Sequence, residues 1–398
     1  MKIAYILPDV GVSGGIAVVC QHANRLVNRG HQVYMVSQTQ SSEIAWFPNQ
    51  NVPVVTLQEF PEDLDILVAT GWSTSFEVVD LPARYKFYFV QSDETRFHKP
   101  GSIWQNLTAL SYLLNVHFMT EARWVQKWLK DNFGQEAVLI PNGLDEGIFF
   151  TDEPLEPKGK RPRILLEGAI DLPYKGMRDA FAAVADLDVD VWCVSSLGKP
   201  EPGWHCNRFF KQIPMIEMRK VYSSCDVLLK MSRVEGFFGP PLEMMACGGT
   251  SVVAKVTGYD EYIKDGYNAL VVEPGDVAGA RTAIQRILSE PELRASLIRN
   301  GKETAKQWQW EPSIDRLEAE FLRVLASQKD KDFSKVREMS DKAISQSYQM
   351  ARAQSNIFKD WESSAFNEPI DRLLYRIRRV GWIRKFAAFL HKVYKKIT

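Results

Sequence analysis

At 398 residues the chain exceeds what a single hydrophobic core usually serves and points to two domains with additions, while its 45% hydrophobic content is that of an ordinary soluble globular protein. Basic and acidic residues balance at 49 each, which excludes a general nucleic-acid-binding character, yet residues 370 to 398 hold five Arg and four Lys against one Asp, a local +8 that leaves −8 for the remainder. Five scattered cysteines (Cys20, Cys193, Cys206, Cys225 and Cys247) lack metal-ligand spacing and read as small buried hydrophobes of a reducing compartment, and no window offers the ~18 uninterrupted apolar residues of a membrane span. The first residues carry one lysine and an apolar run cut at Pro8-Asp9, too short for a signal peptide, so the expected location is cytoplasmic.

In chain order, Lys2 to Leu7 reads as a buried strand, and Gly11-Val12-Ser13-Gly14-Gly15 turns into a helix with Ala17, Val18, Cys20, Ala23, Leu26 and Val27, ending at Gly30. The glycine-rich turn lacks the full dinucleotide pattern and its accompanying acid, which argues against a nicotinamide cofactor. Strand-like runs follow at Val33 to Ser37, Val52 to Leu57, Leu64 to Ala69, Lys86 to Gln91, Val116 to Thr120 and Val138 to Ile140, with helical segments such as Glu121 to Phe133 between them. Alternating β and α runs predict a doubly wound parallel sheet over residues 1–150. Pro141-Asn142-Gly143-Leu144-Asp145 and the proline-rich, charged stretch after it form a linker. A second alternating set, within 160–310, begins at Arg163 to Gly168, continues through Val189 to Val194, Asp226 to Met231 and Thr250 to Ala254, and closes near Val271. Two such domains face each other across a cleft, where ligands bind. Helices are expected at Ala278 to Leu288, Pro291 to Lys306 and Ile314 to Leu325.

The chemistry is placed at Arg233 to Gly249, RVEGFFGPPLEMMACGG. Glu235 falls just beyond the carboxyl end of a strand, where open α/β sheets bind ligands. Gly236, Gly239, Pro240 and Pro241 are expected to forbid a helix between the two acids, with Pro241 in the first turn of the helix that Leu242 to Cys247 begins and Glu243 in that same turn. Free amides and the positive end of a helix dipole would then suit a diphosphate. A purely structural role, with Glu235 ending a strand and Glu243 compensating a dipole, is the alternative.

Glu235, seven residues, Glu243, then a small-residue helix and Ala246-Cys247-Gly248 resembles the signature of retaining nucleotide-sugar glycosyltransferases of the GT-B fold, family 4. The run Gly258-Tyr259-Asp260-Glu261 with Asp265 to Val272, the turn Pro141 to Asp145, and Leu26 to Val33 are similar to further parts of that family. The resemblance implies transfer of a sugar from a nucleotide-sugar donor to a glycan or lipid-linked acceptor, with retention and without a metal or other cofactor, in surface-polysaccharide synthesis. It implies that the helix at 312–326 crosses back onto the first domain, that Glu235 binds donor-sugar hydroxyls, that Glu243 binds the ribose diol and that Lys175 contacts the phosphates. The donor site would further include Arg233, Gly236, Phe237, Phe238, Gly239 and Leu242, and Gly14 and Gly15 would allow close approach of the phosphates or acceptor.

Two departures stand out. The arginine usual after the glycine corresponding to Gly168 is replaced by Ala169, for which Arg178 or Arg233 could substitute, and the histidine usual in the first domain is missing from Tyr88 to Glu94. The latter segment is similar to a branch that includes bacterial surface-polysaccharide rhamnosyltransferases, and Asp93 or Glu94 could orient the acceptor there. Another GT-B enzyme, such as a sugar-nucleotide epimerase, and a catalytically silent binding subunit are the competing classes. In the tail, 328–398, residues 382 to 397 form a helical repeat with Trp382, Ile383, Phe386, Phe389, Leu390, Val393, Tyr394 and Ile397 on one arc and only basic residues or His on the other. That pattern predicts peripheral binding to an anionic membrane surface, with packing on the body or a second subunit as the alternative.

Overall fold

The structure is a computed structural model that describes residues 1–327, 341–349 and 351–352. The chain divides into two compact units, Met1–Asp341 and Lys342–Thr398. The helix expected at 382–397 lies outside the described residues.

Seven parallel strands form the first sheet: β1 (Lys2–Leu7), β2 (Gln32–Ser37), β3 (Val54–Thr56), β4 (Ile66–Ala69), β5 (Tyr85–Val90), β6 (His117–Thr120) and β7 (Ala137–Leu139). Their order is β3-β2-β1-β4-β5-β6-β7, so the winding reverses between β1 and β4. Six parallel strands form the second: β8 (Arg163–Glu167), β9 (Asp190–Ser195), β10 (Arg208–Lys211), β11 (Val227–Lys230), β12 (Thr250–Ala254) and β13 (Leu270–Val272). Here the order is β10-β9-β8-β11-β12-β13, with the reversal between β8 and β11. The central strands are continuous apolar runs because helices cover both faces, leaving β1 and β11 almost wholly buried. At each reversal the flanking connections leave on opposite faces, which opens a crevice at the carboxyl ends of the strands.

The expected strands are present, with ends that agree or move by one or two residues in either direction. Val52 to Leu57 shrinks to β3 because Leu57–Glu59 closes into a 3₁₀ turn. Strand β10 has no counterpart in the sequence reading, being a half-buried edge strand, Arg-Phe-Phe-Lys, whose pattern does not alternate. The helix at Gly239–Ala246 corrects the expectation that the prolines forbid helix between the acids. Pro240 and Pro241 are its second and third residues, where a missing N–H costs no intrahelical bond. Glu243 is consequently its fifth residue and lies beyond the first turn.

The chain crosses between the sheets twice, at 140–145 and at 308–310, and the crossings are joined. The Leu144 amide donates to the Trp308 carbonyl at 2.7 Å, and Leu144 bridges Gln309 in parallel. The helix Trp310–Ala326 then packs Trp310, Ile314, Leu317, Phe321 and Val324 into the core of the first sheet. Arg29 clamps this helix through Glu311, Asp315 and Glu318, each at 2.8 Å. Gly143 is the point of closest approach, since a Cβ there would overlap the backbone nitrogen of Trp310. Gly143→Ala should therefore destabilise the protein by roughly 3 kcal/mol, as overpacking against unyielding backbone does. Urea denaturation measures this against Gly159→Ala, where a Cβ meets nothing nearer than 4.0 Å; equal midpoints would show that the crossings have room to part.

Candidate active site

A cavity of about 620 Å³ lies between the two sheets, at the carboxyl ends of both. On the first-domain side it is lined by Gly14, Gly15, Thr70, Gly71, Gln91 and Glu94, and on the other by Glu167, Ala169, Lys175, Lys230, Glu235 and Glu243. Gly14 and Gly15 open the helix Gly14–Asn28, whose N-terminus Ser13 caps by accepting from Ile16 N at 3.2 Å. A Cβ at Gly14 would meet nothing within 4 Å.

The reversal point of the second sheet carries charge. Glu167 ends β8 and Lys230 ends β11, and pairing of Leu166 with Leu229 sets them side by side. The buried Lys230 ammonium donates to the Glu167 carboxylate and to its carbonyl at 3.2 Å. It also lies 3.7 Å from Glu235 Oε1, while Lys175 Nζ donates to Glu235 Oε2 at 2.8 Å. Glu167, Lys230, Glu235 and Lys175 thus alternate in sign along one chain of contacts. Burial pushes the Glu235 carboxyl up, but Lys175 and Lys230 outweigh it and hold it below the usual range. Burial likewise pushes Lys230 down, and Glu167 with Glu235 reverses this, holding it above. Glu235 is 8% exposed; its Oε1 makes no hydrogen bond of regular geometry, and the Ser232 hydroxyl nearby adds to holding the carboxyl low. A buried carboxylate oxygen in that state is a ready acceptor for a ligand hydroxyl.

Glu243 accepts from the Tyr222 hydroxyl at 2.7 Å, and burial pushes its carboxyl up to about 7. The amide site expected at the start of this helix is already committed. Two of its first four residues are proline, Gly239 N donates to the Phe237 carbonyl at 3.1 Å, and the Leu242 backbone bonds the Tyr262 hydroxyl. Positive charge for an anion therefore comes from lysine side chains on this wall.

Other expected site residues fall into different places. Phe237 and Leu242 line the cavity, whereas Phe238 is fully buried in the core beneath it. Arg233 and Arg178 are outside the lining: the first pairs with Asp179 at 2.6 Å and the second with Glu201 at 2.9 Å. Ala169 is buried and lines the cavity, which neither arginine does. Asp93 also lies outside the lining and caps a turn, accepting from Thr95 N at 3.2 Å. Glu94 faces the cavity, held by Trp72 N at 2.8 Å and the Tyr88 hydroxyl at 2.7 Å, and burial pushes it up to about 7.

The first domain holds the acid loop directly. Glu121 precedes the helix Arg123–Phe133 by two residues, which frees its carboxylate to accept from Phe237 N at 2.9 Å and Asn142 Nδ2 at 2.8 Å. Trp124 Nε1 donates to the Gly236 carbonyl at 2.9 Å, and a Cβ on Gly236 would overlap the Gln91 carbonyl oxygen. Phe97 stacks on Tyr174 across the cleft, with ring centroids 5.3 Å apart. Sequence reasoning passed over Glu121, Glu167, Tyr222 and Lys230. Only Lys230 left a plain signal, as a charge inside an otherwise apolar central strand.

Burial pushes the Glu121 carboxyl up to about 7 from an ordinary 4.5. The folded chain therefore keeps a proton that the unfolded chain has already released between these values, and stability falls as pH rises through them, by on the order of 3 kcal/mol. Glu121→Gln cannot ionise; its amide oxygen can accept from Phe237 N, and its NH2 can donate to Asn142 Oδ1 once the Asn142 amide turns over. Its urea midpoint relative to the wild type should rise from pH 4.5 to 7 and level off above; a difference independent of pH would place the Glu121 carboxyl at its ordinary value.

Residues 205–304, within the second domain, match the family model described as Glycosyl transferases group 1. Among curated relatives, the chain is 26% identical over 201 residues to an uncharacterized glycosyltransferase, MJ1178, of Methanocaldococcus jannaschii, covering 48% of this chain and 55% of that one. It is 26% identical over 282 residues to the O-antigen biosynthesis protein RfbC of Myxococcus xanthus, covering 67% of this chain and 22% of that one. The chain thus spans about half or less of the length of these relatives. The structure of Anabaena Alr3699/HepE, solved in complex with UDP-glucose, superposes with a TM-score of 0.66 at 16% identity over 81% of this chain and 99% of that one. The protein therefore has the GT-B fold, and residues 205–304 of its second domain match the group 1 glycosyl transferase model.

Proposed function

We propose that the protein is a retaining glycosyltransferase that moves a sugar from a nucleotide-sugar donor to a glycan or lipid-linked acceptor in surface-polysaccharide synthesis. The observation that carries this reading is the buried, ionised Glu235, its Oε1 without a hydrogen bond of regular geometry, between two lysines at the reversal point of the second sheet. Fixed positive charge beside an acceptor for hydroxyls suits a group that is a sugar at one end and a diphosphate at the other. Glu235 accepts from donor-sugar hydroxyls, Lys175 neutralises the departing diphosphate, and Glu243 with Tyr222 receives the ribose. Glu94, across the cavity, orients the acceptor hydroxyl, whose proton passes to the leaving phosphate oxygen on the same face.

The relative named for O-antigen biosynthesis and the neighbour solved with UDP-glucose support a sugar-polymer product and a nucleotide donor. Peripheral attachment to an anionic cytoplasmic membrane face through 382–397 would bring a lipid-linked acceptor to the cleft. Its support is the basic amphipathic sequence of that segment, and among the described residues no helix is long and apolar enough to cross a membrane.

Glu235→Gln should lower turnover on the order of 100-fold while preserving the fold, because a charged acceptor is lost from the donor site and not from the core. A near-normal initial rate, measured as release of nucleoside diphosphate, would refute the assignment. Lys175→Ala should weaken nucleoside diphosphate binding by roughly ten- to a hundredfold, the value of one charge-assisted hydrogen bond. Calorimetric titration with UDP, GDP and dTDP checks this and identifies the base. Activity is expected to survive excess EDTA; loss that magnesium or manganese restores would contradict neutralisation by lysine.

A further inference from the structure

Two lysines meet Glu235, and they differ in freedom. Lys175 ends a short 3₁₀ turn, its side chain 23% exposed. Lys230 is the last residue of a central strand, its side chain 2% exposed and tied to both the carboxylate and the carbonyl of Glu167. Lys175 can leave Glu235 by rotating its own flexible stem into the cavity it lines. Lys230 borders the same cavity, but its ammonium is held by the carboxylate and carbonyl of Glu167 and its side chain is 2% exposed, so it stays where the strand end puts it.

A lysine that neutralises an incoming diphosphate while bound to Glu235 must exchange one partner for the other. With a single counter-charge this exchange would strand Glu235 as a buried, uncompensated carboxylate, a costly state. The second cation removes that obstacle, since Lys230 stands 3.7 Å from Glu235 Oε1 while Lys175 holds the other oxygen, Oε2, so the two contacts are separate. The same contact keeps Oε1 charged and aimed without occupying it by a hydrogen bond.

We propose that Lys230 is a positioning residue: the fixed counter-charge of Glu235 that releases Lys175 to the diphosphate of the donor. This inference rests on the donor site described above and adds to it a residue that touches neither phosphate nor sugar. It accounts for a lysine on an otherwise apolar central strand, and for two cations gathered on one carboxylate in a wall whose helix amides are committed elsewhere.

The test is a double-mutant cycle on the full chain, read by calorimetric titration with UDP, GDP and dTDP, using whichever binds the wild type. Lys230→Met should weaken binding about tenfold or more when Lys175 is present and by less than about twofold in a Lys175→Ala background, because its effect passes through Lys175. Lys230→Arg keeps the charge and should stay within about threefold of the wild type. If loss of the Glu167 partner prevents folding of Lys230→Met, the pair Glu167→Gln with Lys230→Met, measured against Glu167→Gln alone, carries the same comparison. Equal losses in both backgrounds, equal losses for Met and Arg, or no loss at all would overturn the proposal. Absence of binding by all three nucleotides to the wild type, or an undiminished affinity in Lys175→Ala, would instead bring down the donor-site reading itself.

Discussion

A carboxylate taken out of water must be matched in charge where it sits, and Glu235 is matched from two directions. Much of the second domain follows from that requirement. Lys230 reaches Glu235 only because β11 ends beside β8 at the reversal of winding, which in turn places Glu167 where it can balance Lys230. The alternating row of charges fixes the ends of two strands and the acid loop with respect to one another. A core side chain of similar volume would hold the strands as well, but it would leave no charged oxygen directed into the cavity.

Three other acids of the cleft are treated differently. Glu94, Glu121 and Glu243 have hydrogen-bond donors but no lysine or arginine in contact, and burial carries each up to about 7. Near neutral pH Glu235 is thus held ionised, while Glu94, Glu121 and Glu243 lie close to their titration midpoints. The walls differ as well: the helix N-terminus at Gly14 opens into the cavity, whereas the one at Gly239 is closed by its prolines and by bonds to Phe237 and Tyr262.

The strand succession was legible because doubly wound domains repeat a simple rhythm of apolar run and amphipathic helix, and the position of Glu235 followed from the end of one such run. Edge strand β10 was not legible, since half-buried residues at a sheet margin carry no periodic signal. The start of the helix at Gly239 was misjudged for a physical reason: prolines that break helix interiors are neutral in a first turn, and spacing alone does not distinguish the two. Glu121 shows a further limit. Its partner, Phe237 N, is 116 residues distant and belongs to the other domain, so no local pattern could announce the bond. The side-chain placements of Arg178 and Arg233 likewise depend on Glu201 and Asp179, acids that sequence position does not mark as neighbours.

By sequence the acid loop belongs to the second domain, but by contact it belongs equally to the first. Its Phe237 amide ends on Glu121, its Gly236 carbonyl on Trp124, and Gly236 has no space for a side chain because the Gln91 carbonyl fills it. Hybrids assembled by exchanging whole domains among proteins of this fold would meet their difficulty at that seam. A transplanted second domain would bring its cavity-facing side chains but leave behind the surface that shapes their loop, so segments 91–94 and 121–124 must travel with it. The unit of inheritance for ligand preference is accordingly larger than the domain that contains the residues.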